Sequence, residues 1–168
     1  MVTRLTATGA KAATPATPPS LCTANEAIVF TCSTGAKVAS VCASRDLSPK
    51  AGTATYRFGA PGAMPEMSLP EVPQHPSRAV YGQTETFAAG GGAWLRFTRG
   101  AHAYIVFTGI GKWGKGGAVA EKAGVIVEKD GKRIAVVRCR GKETSELGPD
   151  WFEKAGIAHR QEEFLFPD

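Results

Sequence analysis

Four cysteines are the residues of this sequence best suited to chemistry, and their spacing limits which chemistry is open to them. They stand at positions 22, 32, 42 and 139. No two are separated by the two residues that are typical of a zinc ligand pair or a thioredoxin-like redox pair, so neither site is expected. An even number of cysteines in a small β-rich chain indicates disulfides and an exported protein. The alternative is four buried, reduced thiols in a cytosolic protein.

The sequence alone does not choose among the three disulfide pairings that four cysteines allow. Cys32 and Cys42 lie in the two arms of the first predicted hairpin. A two-residue turn at Thr34-Gly35 would put them on opposite faces of the hairpin, which disfavours a bond between them. We favour the pairing of Cys22 with Cys42 and of Cys32 with Cys139.

The loop Gly109–Gly117 comes near to a phosphate-binding loop. It follows an apolar strand, and Lys115 comes directly after Gly114, as it would in a P-loop. The next residue is Gly116 rather than the Ser or Thr that would hold magnesium, and no long helix follows. We therefore interpret this segment as a hairpin loop and expect no cofactor.

Aromatic and basic residues are interleaved between positions 94 and 115, and they form the candidate binding surface of this sequence. A two-residue turn near Arg99-Gly100 would separate Trp94 and Arg96 from Tyr104, whereas a three-residue turn would place all three on one face. Such a pattern on a sheet can bind single-stranded nucleic acid. We favour the alternative, in which Trp94 or Tyr104 belongs to the core. The full set is Trp94, Arg96, Tyr104, Lys112, Trp113 and Lys115.

The remaining polar residues give no catalytic or metal-binding pattern. His75, His102 and His159 have no second ligand at the spacing that metal sites use. Gly-x-Ser-x-Gly and His-Glu-x-x-His motifs are absent from the sequence. Glu162 and Glu163 are adjacent and would point apart on a regular element, which favours a solvated tail. Catalytic residues dispersed along the chain would not be visible in this way.

Length, composition and charge limit the classes of protein to which the chain belongs. Its 168 residues suggest one domain, and 43% apolar with 21% charged residues indicates a globular protein. No apolar run is long enough for a transmembrane segment. Residues 1–141 contain 17 Lys or Arg against 8 Asp or Glu, whereas residues 142–168 contain 3 against 7. This asymmetry indicates an anionic partner or an acidic tail that folds back on a basic body, and we favour the tail.

Short β-runs with turn residues between them predict the elements that position these side chains. Seven to nine antiparallel strands are expected, in a mainly β barrel or sandwich with one short peripheral C-terminal helix at Pro149–Ala155. Residues 1–21 are rich in Ala, Thr and Pro and are predicted to be a disordered leader or linker, without the apolar segment of a complete signal peptide. Residues 22–168 form the single β-rich domain. Hairpin turns are predicted at Thr34-Gly35, Arg99-Gly100 and Asp130-Gly131, and further strands at Thr53–Phe58, Glu66–Leu69 and Thr84–Ala88, the last ended by Gly90–Gly92.

Four short motifs resemble a family of small exported proteobacterial proteins of unknown function. They are Cys22-Thr-x-x-Glu26-x-x-Val29-Phe30-x-Cys32, then Lys37-Val38-x-Ser40-x-Cys42, then Tyr56-Arg57-Phe58-Gly59, and Cys139-Arg140-Gly141-Lys142. The resemblance covers about Cys22 to Trp151. It implies an envelope location, either periplasmic or secreted, and a role for all four cysteines. It implies no activity and no site residues.

These observations favour a non-enzymatic binding module of the bacterial envelope. Its partner is expected to be another envelope protein, as for inhibitor or immunity-type proteins, and nucleic acid is not expected outside the cytoplasm. The loops Gly109–Gly117 and Pro61–Pro76 are the expected rim of the binding surface. The alternatives are an enzyme with a dispersed active site and a structural envelope protein without a ligand.

Overall fold

The computed structural model describes residues 18–168, which form two five-stranded antiparallel sheets. The first four strands and the last one form the first sheet, and the fifth to ninth strands form the second as a meander. The mainly β prediction is therefore confirmed, and the arrangement is a sandwich rather than a closed barrel. The described residues form ten strands rather than the predicted seven to nine. The order in the first sheet is tenth, first, second, third, fourth. The strands are β1 Glu26–Ser33, β2 Val38–Ser44, β3 Ala54–Gly59, β4 Met67–Leu69, β5 Val80–Phe87, β6 Gly90–Arg99, β7 His102–Gly111, β8 Ala120–Lys129, β9 Lys132–Arg138 and β10 Thr144–Ser145, and the helices are α1 Pro76–Ala79 and α2 Pro149–Ala155.

All three predicted hairpins are present in the structure. The turn between β8 and β9 is the Asp130-Gly131 pair, with φ of 50° and 75°, the left-handed conformation that a tight hairpin needs. The first hairpin has a four-residue loop, because Ser33 pairs with Val38. Two extra residues preserve the alternation of side chains, so Cys32 and Cys42 still point to opposite faces.

The prediction that Gly90–Gly92 ends a strand is wrong. These three residues begin β6, and the turn before them is Ala88-Ala89, where Ala89 has a φ of 65°. The strand predicted at Thr84–Ala88 is longer than expected, because β5 begins at Val80 and forms an edge of the second sheet. Close packing, described below, is what requires glycine at the start of β6.

The main core lies between the sheets and is closed at one end by α2. Its largest members include Phe30 from the first sheet and Leu95 and Phe97 from the second, each at most 1% exposed. Trp151 and Phe152 from α2 are buried in the same cluster. The helix has the predicted bounds, with left-handed Gly156 as its C-cap, which confirms the prediction of one short C-terminal helix.

Two disulfides tie the sandwich together, and they are the favoured pairs. Cys22 bonds to Cys42 on the outer face of the first sheet, and Cys32 bonds to Cys139, which follows the last strand of the second sheet. Two structural disulfides indicate an oxidising, extracytoplasmic compartment. None of the helices in the described range is long and apolar enough to cross a membrane.

Part of the predicted leader lies outside the described residues. Residues 18–21 are described, and they follow the outer face of the first sheet. The Pro19 carbonyl accepts a hydrogen bond from Thr31 Oγ1 at 2.8 Å, and the Leu21 N–H donates to Ser40 Oγ at 3.1 Å. The chain therefore contacts the first sheet before Cys22.

Candidate functional site

The outer face of the second sheet carries a second apolar cluster, separate from the main core. Trp94 on β6 and Phe107 on β7 are paired neighbours, so both point to this face, as do Ile105 and Ile126. All four side chains are at most 1% exposed. A sheet face that looks away from the core is usually polar, so these residues must be covered by another part of the chain.

The cover is the C-terminal segment, residues 158–168. His159 bridges to Gly82 on the edge strand β5, and the segment then crosses the sheet. The buried Gln83 side chain holds Glu162 at two points: its Nε2 donates to the Glu162 carbonyl at 3.0 Å, and its Oε1 accepts from the Glu162 N–H at 2.9 Å. This confirms that the acidic tail folds back on the basic body.

Aromatic side chains rather than charges attach most of the tail. Phe164 stacks on Trp94, with ring centroids 5.2 Å apart and planes inclined by 19°. Phe166 lies on the same side of the extended segment and packs against Phe107 and Trp113. Leu165, between the two phenylalanines, is 68% exposed. Alternate side chains of the tail therefore pack on the outer face of the sheet, as the geometry of an extended chain requires.

Phe166 packs directly on the backbone of two glycines, which have no side chains to exclude it. A Cβ placed on Gly92 would lie 2.5 Å from Phe166 Cζ, and one on Gly109 would lie 2.9 Å from Phe166 Cε1. Gly92 and Gly109 are directly paired on β6 and β7, so together they leave a flat, bare patch of backbone. This explains why the sequence has glycine inside two strands, where it otherwise weakens a sheet.

We call this surface the tail groove; it comprises Trp94, Phe107, Gly92, Gly109 and Trp113. Beside the seated tail it leaves an open cavity of about 280 Å³, lined by Glu85, Phe87, Trp113, Lys122 and the tail itself. The Glu85 carboxylate accepts a hydrogen bond from Trp94 Nε1 at 3.3 Å. Lys122 Nζ lies 5.0 Å from the centre of the Trp113 ring, within the range of a cation–π contact. Lys112 and Lys115 are exposed on the adjoining loop. The groove is thus aromatic at its floor and basic at its rim.

The structure divides the six residues of the predicted binding surface. Trp94 and Trp113 belong to the tail groove, and Arg96 lies on the same sheet face, ion-paired with Glu128 at 2.7 Å. Its Nε is buried and has no hydrogen-bond partner among the described residues. Tyr104 points to the opposite face, because Phe97 is its paired neighbour and the turn has two residues, Gly100 and Ala101. The loop residues Lys112 and Lys115 remain beside Trp113.

A second concavity, which we call the end cleft, opens between strands β5 to β8 of the second sheet and the segment 143–149 that leads into α2. Its volume is about 400 Å³, and its lining includes three threonines, three glutamates (Glu85, Glu121 and Glu143) and Gly91. Thr108 Oγ1 donates to Glu143 Oε1 at 2.9 Å. Glu121 accepts from Lys142 Nζ at 2.9 Å, and this hydrogen bond raises the pKa of Lys142. The threonines are Thr84, Thr86 and Thr108.

Cys22, Glu26 and Cys42 are a group of potential metal ligands in the described range, with their ligand atoms within 4.8 Å of one another. The two sulfurs form a disulfide and have no thiolate to offer to a metal. Glu26 is already engaged by Arg57. The group is therefore a structural cluster.

The three histidines lie apart from both concavities or play structural parts. His75 caps α1, and its Nε2 lies 2.8 Å from the Ser48 carbonyl oxygen. His102 stacks on Tyr104 at the end of β7. The Gly109–Gly117 segment contains the end of β7 and a single 3-10 turn at Lys115–Gly117, and β8 follows. It is a hairpin loop, as the sequence indicates.

Sequence reasoning missed the residues that matter most for the tail groove. Phe164 and Phe166 belong to none of the predicted elements or sites, although their spacing of two is the signal of an extended segment with one apolar side. The carboxylates of the end cleft, Glu121 and Glu143, gave no signal, because they are 22 residues apart and meet only in the folded sandwich.

Comparison with known proteins gave no match to any family model, curated protein or solved structure.

Proposed function

We propose that this protein is a non-enzymatic binding module of the bacterial envelope, periplasmic or secreted, and that its partner is another protein. The observation that supports this most is the tail groove, which holds an extended polypeptide segment mainly by inserted aromatic side chains. A groove that accepts one extended segment in this way has the shape and chemistry for recognising polypeptide. The disulfides fix the sandwich that carries it.

The lysines at the rim of the tail groove indicate that the partner carries negative charge where it binds. Lys112 and Lys115 are exposed, and Lys122 lies over Trp113. Aromatic residues are enriched at protein-binding surfaces. Exposed cations beside them accelerate association with an acidic partner. We expect the partner to present an acidic surface next to the segment that it inserts.

Affinity capture from a periplasmic extract tests this function. The wild-type chain should retain a stoichiometric partner, and the double variant Lys112→Glu with Lys115→Glu should retain about tenfold less, because it reverses the rim charge. The matched control, Lys50→Glu with Arg78→Glu, changes net charge equally at exposed positions on another part of the surface and should bind as the wild type does. Equal retention by both double variants would contradict the proposed rim. Absence of any partner would favour a structural envelope protein instead.

The end cleft supports a second candidate function, an enzyme with a dispersed active site. Glu121 and Glu143 both line it, and two carboxylates on one cleft are an arrangement used for general acid–base catalysis. Both are engaged, by Lys142 and by Thr108. Hydrolysis of glycoside and ester model substrates that is lost in Glu143→Gln would support the enzyme. Hydrolysis unaffected by Glu143→Gln and Glu121→Gln would exclude these carboxylates as its source.

A further inference from the structure

The way the C-terminal tail is attached shows what kind of segment the groove selects. Two phenylalanines separated by one residue insert into the groove, and the residue between them faces solvent. The main chain of the tail is held at three places: His159 bridges to Gly82, Gln83 binds Glu162, and the Leu165 carbonyl accepts from Arg133 at 2.9 Å. Only the last of these lies beside the two phenylalanines. Attachment therefore depends mostly on side-chain pattern, which a segment of another protein can present equally well.

The tail fills the groove incompletely. A cavity of about 280 Å³ stays open between the tail and Phe87, Trp113 and Lys122. This space opens to solvent beside exposed Leu165, so a further group can enter it from outside while the sheet stays intact. The space is large enough for one further side chain of a bound segment.

The charges around the groove match an acidic segment. Glu163 and Asp168 flank the two phenylalanines of the tail, and Asp168 Oδ1 lies 3.9 Å from Lys122 Nζ. Residues 158–163, which lead into the groove, are all exposed. These residues belong to no strand, and His159 and Glu162 fix them to the edge strand β5. The part that carries the two phenylalanines follows Glu162 and can leave the groove without unfolding a strand.

We propose that the tail groove recognises an extended, acidic segment of a partner protein with the pattern aromatic-x-aromatic, and that the C-terminus of this chain occupies the groove until the partner displaces it. The proposal deepens the proposed function, since it names the partner chemistry for the same surface. It also makes the tail an internal competitor, which reduces the apparent affinity of the free protein for any such segment.

Peptide binding to the full-length chain tests the proposal. The variant Phe164→Ala with Phe166→Ala keeps the whole chain but removes both plugs. It should bind a fluorescent peptide of residues 161–168 about tenfold or more tightly than the wild type does, because a tethered competitor acts at an effective concentration on the order of millimolar. A peptide with both phenylalanines replaced by alanine, and one with them spaced by two residues, should not bind. A peptide with its acidic residues replaced by lysine should bind more weakly, because the rim is basic. This difference between the two peptides should be larger at lower salt, where charges are screened less.

A matched pair of glycine variants locates the peptide. Added to the double variant, Gly92→Ala places a Cβ where Phe166 would lie and should abolish binding. The added methyl of Gly91→Ala points to the opposite face of the sheet, so this variant should bind the peptide normally. Its Cβ lies 2.8 Å from the Glu85 carbonyl oxygen, and the Cβ of Gly92→Ala lies 2.7 Å from the Thr108 carbonyl oxygen. Both variants therefore carry a similar cost to the sheet.

Several results would overturn the proposal. They are a folded double variant that does not bind the peptide, equal binding by double variant and wild type, or equal binding of the peptide with altered spacing. If circular dichroism shows that the double variant is unfolded, the single variant Phe166→Ala, which leaves Phe164 on Trp94, is decisive in the same assay. The peptide assay can fail while affinity capture still retains a partner in a way that depends on Lys112 and Lys115. That combination would support the proposed binding function and contradict only the aromatic-x-aromatic recognition.

Discussion

At the scale of single residues, Glu26 and Arg57 form the best-connected ion pair of the first sheet, next to the Cys22–Cys42 disulfide. Arg57 donates to both carboxylate oxygens, with Nη2 at 2.8 Å from Oε1, and the Thr23 N–H donates at 3.0 Å. Burial favours the protonated acid, but the hydrogen bonds from Arg57 and Thr23 and the charge of Arg57 outweigh it. The pKa of Glu26 is therefore held below its ordinary value of 4.5.

This pKa shift predicts acid sensitivity. A carboxyl whose pKa is lower in the folded state contributes stability above its unfolded pKa, and this contribution is lost as the pH falls through the folded pKa. We expect the free energy of unfolding of the wild type to fall below about pH 4.5 more steeply than that of Glu26→Gln. At pH 7 the variant should be less stable by roughly 1–3 kcal/mol, because Arg57 keeps a buried charge with a weaker acceptor.

Urea unfolding between pH 3 and pH 7 measures both effects. Glu66→Gln is the matched control in the same sheet, since its ion pair with Lys37 is about half exposed and should contribute less than about 1 kcal/mol. Parallel pH profiles for the wild type and Glu26→Gln would contradict the assignment.

Glycine also shows, residue by residue, where sequence reasoning reaches its limit. At Gly131 a turn signal and a positive φ coincide, so the hairpin is predicted correctly. At Gly92 the same residue type serves close packing against Phe166 and against the Thr108 carbonyl. Phe166 is more than seventy residues from Gly92, so the local sequence favours a break between strands at Gly90–Gly92, where β6 in fact begins.

At the scale of elements, local patterns predict hairpins and α2 well because each is decided by neighbouring residues. Strand alternation, Asp-Gly and the Gly-Pro start of α2 act over a few positions. The two-residue β10 was not predicted, because it becomes a strand only by pairing with Phe30 and Thr31 of β1, more than a hundred residues away. The tail groove escaped prediction for the same reason.

The two glycines that flank α2 give a prediction about how the helix ends. Gly156 is left-handed, with a φ of 65°, and a Cβ there would lie 3.0 Å from the Pro49 carbonyl oxygen. Gly148 has extended backbone with open space around it. Gly156→Ala should therefore lower the free energy of unfolding by about 1–2 kcal/mol or more. Gly148→Ala should lower it by less than about 1 kcal/mol, since it exchanges one N-cap without a side-chain hydrogen bond for another.

Chemical denaturation of the two alanine variants side by side checks this difference. Both remove the same glycine flexibility from the unfolded chain, so that contribution cancels in the comparison. An equal midpoint for the two variants would mean that the last turn of α2 relaxes without cost.

At the scale of the whole molecule, the disulfides constrain the chain to very different extents. Cys22 and Cys42 are 20 residues apart and fasten the entry of the chain to the outer face of one sheet. Cys32 and Cys139 are 107 residues apart and connect β1 in the first sheet to the end of the second. The cysteine count indicates that bridges exist, but only the sandwich shows that one of them joins its two halves.

We therefore expect the two bridges to differ in their effect on stability. Loop-closure entropy gives roughly 3 kcal/mol for a loop of about 20 residues and nearly 5 kcal/mol for one of about 107. The comparison is well matched, because each bridge joins one buried to one half-buried cysteine. The free energy of unfolding of the variant Cys32→Ala with Cys139→Ala should be about 1–2 kcal/mol lower than that of the variant Cys22→Ala with Cys42→Ala. Urea unfolding of both, under oxidising conditions, measures the difference. The reverse order would show that the long bridge joins parts of the chain that already stay together when it unfolds.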